Sequence, residues 1–279
     1  MMSEPAAPLP NLTDRPALER NRARARRFAP ADFLHRIVAD EIQDRLAEIN
    51  RSFTAAAVVT GLPEFWQTVL PGARIVPDSA DLDLRPGAHD LVIHAMALHW
   101  AEDPVGQIAQ CARALRPDGL FVAACPGGRT LAELRDALTR AEAEISGGLS
   151  PRVLPMGEIR DLGGLLSRAG LALPVADLIS QTASYRDLMH LARDLRAMGE
   201  GNALAGRLRR PTRRGVLARA AAIYATDHPD PQDPQRIRAS FDLVFLTGWA
   251  PDDSQQKPLR PGSARMPLAE ALASTGKPA

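Results

Sequence analysis

The sequence has little cysteine, and its apolar residues never form a long run. Cys111 and Cys125 are the two cysteines in 279 residues. They are too few for a disulfide framework or a four-ligand zinc site, so we expect both thiols to be reduced and buried. No stretch of about eighteen apolar residues occurs, and no signal-peptide pattern is found at the amino terminus. We therefore expect a cytoplasmic protein without membrane insertion.

Several motifs of catalytic chemistry are missing as well. No cluster of His, Cys, Asp and Glu has metal-ligand spacing, so no metal is expected. Neither a G-x-S-x-G nucleophile elbow nor a Walker phosphate loop occurs, which leaves hydrolase and nucleoside triphosphatase functions without support. What remains is an ordinary globular composition, with 45% apolar and 24% charged residues.

The chain is predicted to have a central domain with an extension at each end. Residues 1–14 are rich in proline and poor in large apolar groups, which predicts a disordered tail. Apolar residues at helical spacing predict one or two amphipathic helices in residues 15–54. The main domain is expected to span residues 55–250, and prolines predict an extended tail over residues 251–279.

A basic cluster lies at the start of the helical extension. It consists of Arg15, Arg20, Arg22, Arg24, Arg26 and Arg27. Such a cluster can contact nucleic acid or an acidic partner. No aromatic residues are interleaved for base stacking, however, so we interpret the cluster as a solvated helix face and expect no nucleic-acid partner.

Apolar segments in the central domain predict a mostly parallel sheet covered by helices. The predicted strands are Ala55–Thr60, Arg74–Pro77, Asp90–Ala95, Leu120–Ala124, Val175–Ser180 and Phe241–Trp249. Helices separate the last two, which fits one antiparallel strand inserted near the edge of the sheet. Gly61 and Asp90 lie 29 positions apart, about half of what two strand–helix units need. The fold class is therefore α/β and Rossmann-like, with a twisted sheet shortened in its amino-terminal half.

Ligands of such a sheet bind beyond the carboxyl ends of the strands where the strand order reverses. A nucleoside cofactor needs several glycines there, so that the backbone can approach it closely. The loop after the first strand, within VVTGLPEFW, offers only Gly61, and Pro63, Phe65 and Trp66 add bulk nearby. We therefore interpret Gly61 as a turn glycine and expect Pro63 and the two rings to crowd the place of an adenosyl group.

The loop after the third strand carries candidate catalytic residues. Met96, Leu98, His99 and Trp100 would stand at the rim of the cleft. A histidine beside an aromatic ring in this position can orient or deprotonate a substrate. The same residues suit a packed rim without a catalytic role equally well.

Several segments carry a family resemblance. They are DLVIHAMALHW, DPVGQIAQCARALRPDGLFVAA, GGRTLAELRDALTRAE, DLGGLLSRAG, LRAMGEGN and LVFLTGW. In these segments the chain resembles the bacterial relatives of the mitochondrial complex I assembly factor with a methyltransferase fold. That family is in turn similar to the malonyl-carrier-protein methyltransferase of biotin synthesis. Leu98–Trp100 and Met198–Asn202 (MGEGN) are the most specific pieces.

The resemblance implies a class I methyltransferase fold that binds S-adenosyl-L-methionine (SAM). In the assembly-factor branch it implies modification of an arginine in a complex I subunit, by hydroxylation rather than methylation. The implied cofactor site lies over Gly61 and the loop Ala95–Trp100, which includes Met96, and His99 is the implied catalytic residue. The expected partner is a protein substrate or a respiratory complex I subunit.

The chain departs from this family in its first-strand motif. The family has an acidic residue and about three glycines, whereas this chain has Thr60–Leu62 (TGL). The missing strand–helix unit would normally supply the acid that holds the ribose hydroxyls. Asp78 is the candidate substitute, with Asp81 and Asp83 as alternatives.

Two functions agree with these observations. The first is a SAM-dependent enzyme of the assembly-factor type, which modifies a protein side chain or assists respiratory complex assembly. The second is a non-catalytic pseudo-methyltransferase that acts as a binding and assembly module. The biotin-pathway methyltransferase ranks last, because methyl transfer there depends on the intact cofactor loop.

Overall fold

The computed structural model describes residues 11–27 and 30–256, whose strands form one six-stranded sheet with the order β2-β1-β3-β4-β6-β5. The strands are β1 (Ala56–Thr60), β2 (Arg74–Val76), β3 (His89–Ala95), β4 (Leu115–Gly127), β5 (Ala172–Tyr185) and β6 (Ile237–Trp249). The helices are α1 (Arg15–Arg27), α2 (Phe33–Glu48), α3 (Pro63–Val69), α4 (Pro104–Ala114), α5 (Ala132–Ser146), α6 (Ile159–Arg168), α7 (Leu188–Ala197) and α8 (Arg214–Asp227). A 3-10 turn follows β3 at Leu98–Trp100.

The parallel half of the sheet consists of β2, β1, β3 and β4. Side chains of a strand alternate between its two faces, so Val58 packs in one apolar cluster with α2, α5, α7 and α8. Ala57 and Val59 pack in the other cluster, with α4 and α6. Because both faces are covered, the inner parts of these strands are mostly apolar, which is why the sequence identified them.

The strand order reverses at β1. The chain passes from β1 through α3 to β2 on one side, and then returns to β3 on the other side of β1. β2 has three residues and α3 has seven, and residues 77–88 lead to β3 without a helix. This loop takes the place of the strand–helix unit that the sequence analysis expected to be absent. It brings Asp78 next to the end of β1.

The predicted antiparallel strand is β6, which lies between β4 and β5 and runs antiparallel to both. β5 continues well past the predicted Val175–Ser180, through the small and polar residues 181–184. Its residues alternate between exposed and partly buried, as expected for an edge strand with one solvated face. The hydrogen bonds to β6, rather than apolar burial, hold this extension, so the apolar pattern could not predict it.

Helices α1 and α2 occupy the span in which one or two helices were expected. The expectation of a disordered tail does not hold for Asn11–Asp14. The backbone N–H groups of Leu12 and Thr13 donate to the Glu102 carboxylate at 2.9 and 2.6 Å, and Thr13 forms a bridge with Leu204. This segment is held because one carboxylate accepts two of its backbone donors. Residues 1–10 lie outside the described part of the chain.

The carboxyl-terminal segment is described to residue 256. Gln255 Nε2 donates to Asp118 Oδ1 at 2.9 Å and to the Ala250 carbonyl at 2.8 Å, which ties the start of this tail to the end of the sheet. The remainder of the predicted tail lies outside the described residues.

Both cysteines are free and buried, as the sequence indicated. Burial disfavours the thiolate, and it raises the pKa of Cys111 and that of Cys125, the latter to about 12. Among the described helices, none is long and apolar enough to cross a membrane.

Candidate functional site

A cavity of about 500 Å³ opens where β1 and β2 end. Gly61 and Asp78 both line it, so the structure brings together the glycine and the acid that were predicted for this edge of the sheet. The alternatives, Asp81 and Asp83, are exposed to solvent. We call this space the β1 cavity.

Two arginines of α1 hold Asp78. Arg15 and Arg22 are seven positions apart and therefore share one helix face, two turns from each other. Arg15 donates to both carboxylate oxygens of Asp78, at 3.0 and 2.9 Å, and Arg22 Nη1 donates to Oδ1 at 2.7 Å. The side chains of Asp78 and Arg22 are only 3% and 9% exposed. Burial alone would raise the pKa of Asp78, but the two guanidinium groups outweigh it and hold that pKa below its usual range.

The arginine cluster of α1 is therefore divided. Its other four members are exposed, as expected for a solvated helix face: Arg20, Arg24, Arg26 and Arg27. For Arg15 and Arg22 the expectation was wrong, because a buried acid 56 or more positions away in the sequence pairs with them. Periodicity within one helix gives no sign of such a partner.

Arg22 fills the space beside Gly61. A Cβ atom at Gly61 would lie 2.3 Å from Cζ of Arg22 and 2.6 Å from its Nε, so a glycine is required for this approach. The prediction that Phe65 and Trp66 crowd the adenosyl position was wrong. α3 begins at Pro63 and turns both rings toward the core that α2 also lines, where Trp66 has no exposed surface.

Trp66 is anchored by His35 of α2. The indole Nε1 donates to His35 Nδ1 at 3.1 Å. Burial lowers the pKa of His35 to about 4, below the value near 6.5 that is typical of an unfolded chain. The unfolded state therefore binds the proton more readily. The contribution of His35 to stability is complete above pH 6.5 and is lost as the pH falls toward 4.

We expect His35→Asn to make the protein less sensitive to acid, because the amide oxygen can still accept the Trp66 hydrogen bond but does not titrate. Between pH 7 and pH 5 the parent protein should lose about 1–2 kcal/mol more of its unfolding free energy than the variant. Urea unfolding followed by tryptophan fluorescence at both pH values measures this difference. Equal losses in the two proteins would mean that burial does not lower this pKa.

A second cavity, of about 220 Å³, lies beside the loop after β3. Met96, His99 and Trp100 line it, as predicted for the rim of the cleft. Its remaining walls are mostly apolar and include Leu34, Leu134, Met156, Leu195, Met198 and Phe241. We call this space the His99 cavity. Ala95, the other residue of this loop with an implied cofactor contact, has no exposed surface and belongs to the core.

Glu200 joins the histidine and the tryptophan of the His99 cavity. Its Oε2 accepts a hydrogen bond from Trp100 Nε1 at 2.7 Å and lies 3.2 Å from His99 Nε2. Burial opposes ionisation of Glu200, but His99, Arg22 and the Trp100 N–H favour the carboxylate and hold its pKa below the ordinary range. The sequence analysis assigned no role to this residue, although it stands in the MGEGN segment that the resemblance singled out.

A helix cap positions Glu200. α7 ends at Ala197, and Gly199, just after the cap residue Met198, lies in the left-handed region at φ +83°. The N–H of Gly199 donates to the Arg196 carbonyl, and the N–H of Glu200 donates to the Leu195 carbonyl. This is the Schellman pattern, which favours glycine at that position and turns the chain sharply after the helix. The turn brings Glu200 back over the end of β3.

The residues predicted to form one site thus lie in two neighbouring cavities. Arg22 lines the β1 cavity, Glu200 lines the His99 cavity, and both border a small gap of about 10 Å³ between them, together with Gly61 and Met96. The β1 cavity and the His99 cavity therefore adjoin the same small gap, and Arg22 and Glu200 both line it. A further cavity of about 210 Å³ links Asp78 with the outer side of Trp100.

The sheet order, the antiparallel β6 and the paired cavities at the strand ends define a class I methyltransferase fold. In agreement, the methyltransferase-domain family matches residues 29–123, a range that includes α2 and reaches into β4.

The chain belongs to the family of the arginine-hydroxylase NDUFAF5. It is 32% identical over 265 residues to the mitochondrial protein of that name from Mus musculus, covering 86% of this chain and 76% of the mouse protein. Its counterpart from Dictyostelium discoideum is 41% identical over 181 residues, covering 65% of this chain and 41% of the relative. The malonyl-[acyl-carrier protein] O-methyltransferase of Laribacter hongkongensis is 34% identical over 190 residues, covering 68% of this chain and 61% of that relative. The chain thus spans about two fifths of the Dictyostelium relative.

SAM is the cofactor that this fold family implies, and the β1 cavity provides the residue types for its adenosine part. Gly61 leaves the backbone open to close approach, and Asp78 is an acid of the kind that accepts hydrogen bonds from ribose hydroxyls. In this structure Arg22 engages both residues. The residues fit the cofactor on the condition that Arg22 leaves Gly61 and that Asp78, which Arg15 also holds through both oxygens, exchanges part of its arginine contacts for the ribose.

Proposed function

We propose that this chain binds SAM in the β1 cavity and modifies an arginine side chain of a protein that enters the His99 cavity. One observation supports this proposal: a small gap, which Arg22 and Glu200 both border, adjoins the β1 cavity and the His99 cavity. A cofactor and an acceptor side chain must lie next to each other for reaction, and this arrangement supplies that proximity. A respiratory complex I subunit is the proposed protein substrate, and the cytoplasmic location expected from the sequence belongs to the same proposal.

Each of the predicted site residues has a role in this proposal. When bound, SAM would supply a methyl group, activated by the positive sulfur atom, for methylation of the arginine; hydroxylation of the arginine would require an oxidant and an oxygen source in addition to SAM. Asp78 accepts hydrogen bonds from the ribose, and Gly61 and Met96 border the path between the cavities. His99 orients or deprotonates the substrate. Its Nδ1 is buried without a hydrogen-bond partner among the described residues, so it can accept one from a ligand.

Isothermal titration calorimetry with SAM tests the proposal. We expect a dissociation constant well below millimolar, and we expect ATP, which shares the adenosine but carries three phosphates, to bind much more weakly. A dissociation constant for SAM above about 1 mM corresponds to less than about 4 kcal/mol of binding free energy. Such a result would rule out the proposed SAM-dependent activity.

The alternative function is a non-catalytic assembly module. The observation that favours it is the guanidinium of Arg22 in the place where a cofactor would contact Gly61. This alternative predicts no SAM binding and a partner surface on α5 and α7, where Ile145 and Met189 are large apolar residues exposed to solvent. Ile145→Glu and Met189→Glu would then weaken partner capture without changing SAM binding.

A further inference from the structure

The His99 cavity has an unusual charge distribution for a largely apolar space. Glu200 is the one acidic residue among the described residues that line it. Two cations also line it, but Arg152 is paired with Glu142, Nη2 to Oε1 at 2.6 Å, and Arg196 is exposed to solvent. The Glu200 carboxylate, which Trp100 and His99 hold through one oxygen, therefore provides an acidic acceptor at the inner end of the cavity. A ligand with a cationic donor group can pair with its other oxygen, whereas an apolar ligand would cover that oxygen without a hydrogen bond.

The Glu200 carboxylate has an oxygen available to a ligand. Both hydrogen bonds that described residues make to it fall on Oε2. An ionised carboxylate accepts about four hydrogen bonds in all, so Oε1 retains its full capacity. The side chain is 26% exposed, and it lines the cavity. Trp100 and His99 thus fix the carboxylate in place, and its second oxygen remains open.

We propose that Glu200 determines specificity for the arginine substrate by binding its guanidinium group; this inference rests on the proposed function. A guanidinium presents two parallel N–H donors in one plane. This geometry matches the two oxygens of a carboxylate better than the single ammonium group of a lysine does. Trp100, which holds the carboxylate through its Nε1, lines the same cavity. The unbranched side chains of Met96, Met156 and Met198 adapt easily to an aliphatic stem.

The volume of the cavity agrees with a single side chain as its occupant. At about 220 Å³ it is smaller than the clefts of roughly 300–1,000 Å³ that hold drug-sized ligands. In this assignment the cationic end of the substrate lies at Glu200, which also lines the small gap that adjoins the β1 cavity, so the atoms to be modified face the cofactor. His99 contacts the other oxygen of this carboxylate, Oε2, so in this assignment it lies near the bound guanidinium.

Nuclear magnetic resonance of the full chain with ¹³C-labelled methionine methyl groups tests this assignment. The probes are Nα-acetyl-L-arginine N-methylamide and the corresponding citrulline derivative, which has the same shape without the charge. We expect the arginine probe to shift the Met96, Met156 and Met198 signals but not that of exposed Met189, and to bind at least tenfold more tightly than the citrulline probe. Glu200→Gln should abolish this preference, whereas Glu41→Gln on α2, with the same charge change, should keep it.

Three outcomes would overturn the assignment: no shift of the cavity methionines, equal affinity for the two probes, or an unchanged preference in Glu200→Gln. Glu200→Asp, which keeps the charge but shortens the side chain, provides a second variant and should retain part of the preference. Titration of the same proteins with SAM tests the proposed enzyme separately from the role of Glu200. An arginine preference without SAM binding would leave the role of Glu200 intact and refute the proposed enzyme.

Discussion

Asp78→Asn is expected to lower the free energy of unfolding by about 3–5 kcal/mol, because removing one member of a buried ion pair leaves an uncompensated charge. Arg22 is the group that would lose its partner: it is buried, and its Nη1 donates to Asp78 Oδ1 at 2.7 Å. Arg15 is one-third exposed and can turn to water instead. Urea unfolding of the variant and the parent protein at pH 7 measures the change.

Two further proteins make this prediction specific. Asp83→Asn breaks the pair of Asp83 with Arg74, in which the acid is 83% exposed, and it should cost no more than about 1 kcal/mol. The double variant Asp78→Asn, Arg22→Met should recover most of the stability, because no unpaired charge then remains beside the core. A cost for Asp78→Asn as small as that for Asp83→Asn would contradict the buried ion pair.

Arg22→Met is expected to raise the affinity for SAM by tenfold or more. In the parent protein the cofactor can bind only when Arg22 has left Gly61, so the apparent affinity is reduced by the fraction of molecules in which it has done so. A tenfold change in affinity corresponds to about 1.4 kcal/mol, which is less than the cost of separating a buried pair. Methionine keeps the apolar stem against Gly199 but lacks the guanidinium.

Arg20→Met is the matched control, since Arg20 is exposed on the same helix and should leave SAM binding unchanged. Calorimetric titration of the three proteins gives the comparison. Weaker binding by Arg22→Met, in a protein that unfolds at the same urea concentration as its parent, would identify Arg22 as a cofactor contact rather than an obstruction. No binding by either protein would favour the non-catalytic assembly module.

Most of the sheet could be predicted because its information is local. β1 and β3 are largely apolar and lie within a residue or so of their predictions. β4 contains the predicted apolar run Leu120–Ala124 but extends beyond it at both ends, from Leu115 to Gly127. The extension of β5 escaped prediction because it depends on pairing with β6 rather than on its own apolar residues. The short spacing between Gly61 and Asp90 correctly indicated that one strand–helix unit is absent.

The site was only partly predictable. Asp78 was selected as an acid after a strand, and the structure places it beside Gly61 as expected. Arg22 could not be recognised, because its partner comes from a distant loop. Phe65 and Trp66 were predicted to face the cofactor position, whereas they face the core. The sequence gives the size of these side chains but not the direction in which the seven-residue helix α3 points them.

The sequence by itself determined the class of sheet, the segments that build it and the family to which the chain is related, because these follow from apolar periodicity and from short motifs. The tertiary structure decided which charges meet. It placed α1 across the ends of β1 and β2, where Arg22 covers Gly61, and it turned Glu200 back toward His99. Such pairings depend on distance in space between residues far apart in the chain, and no local pattern encodes that distance.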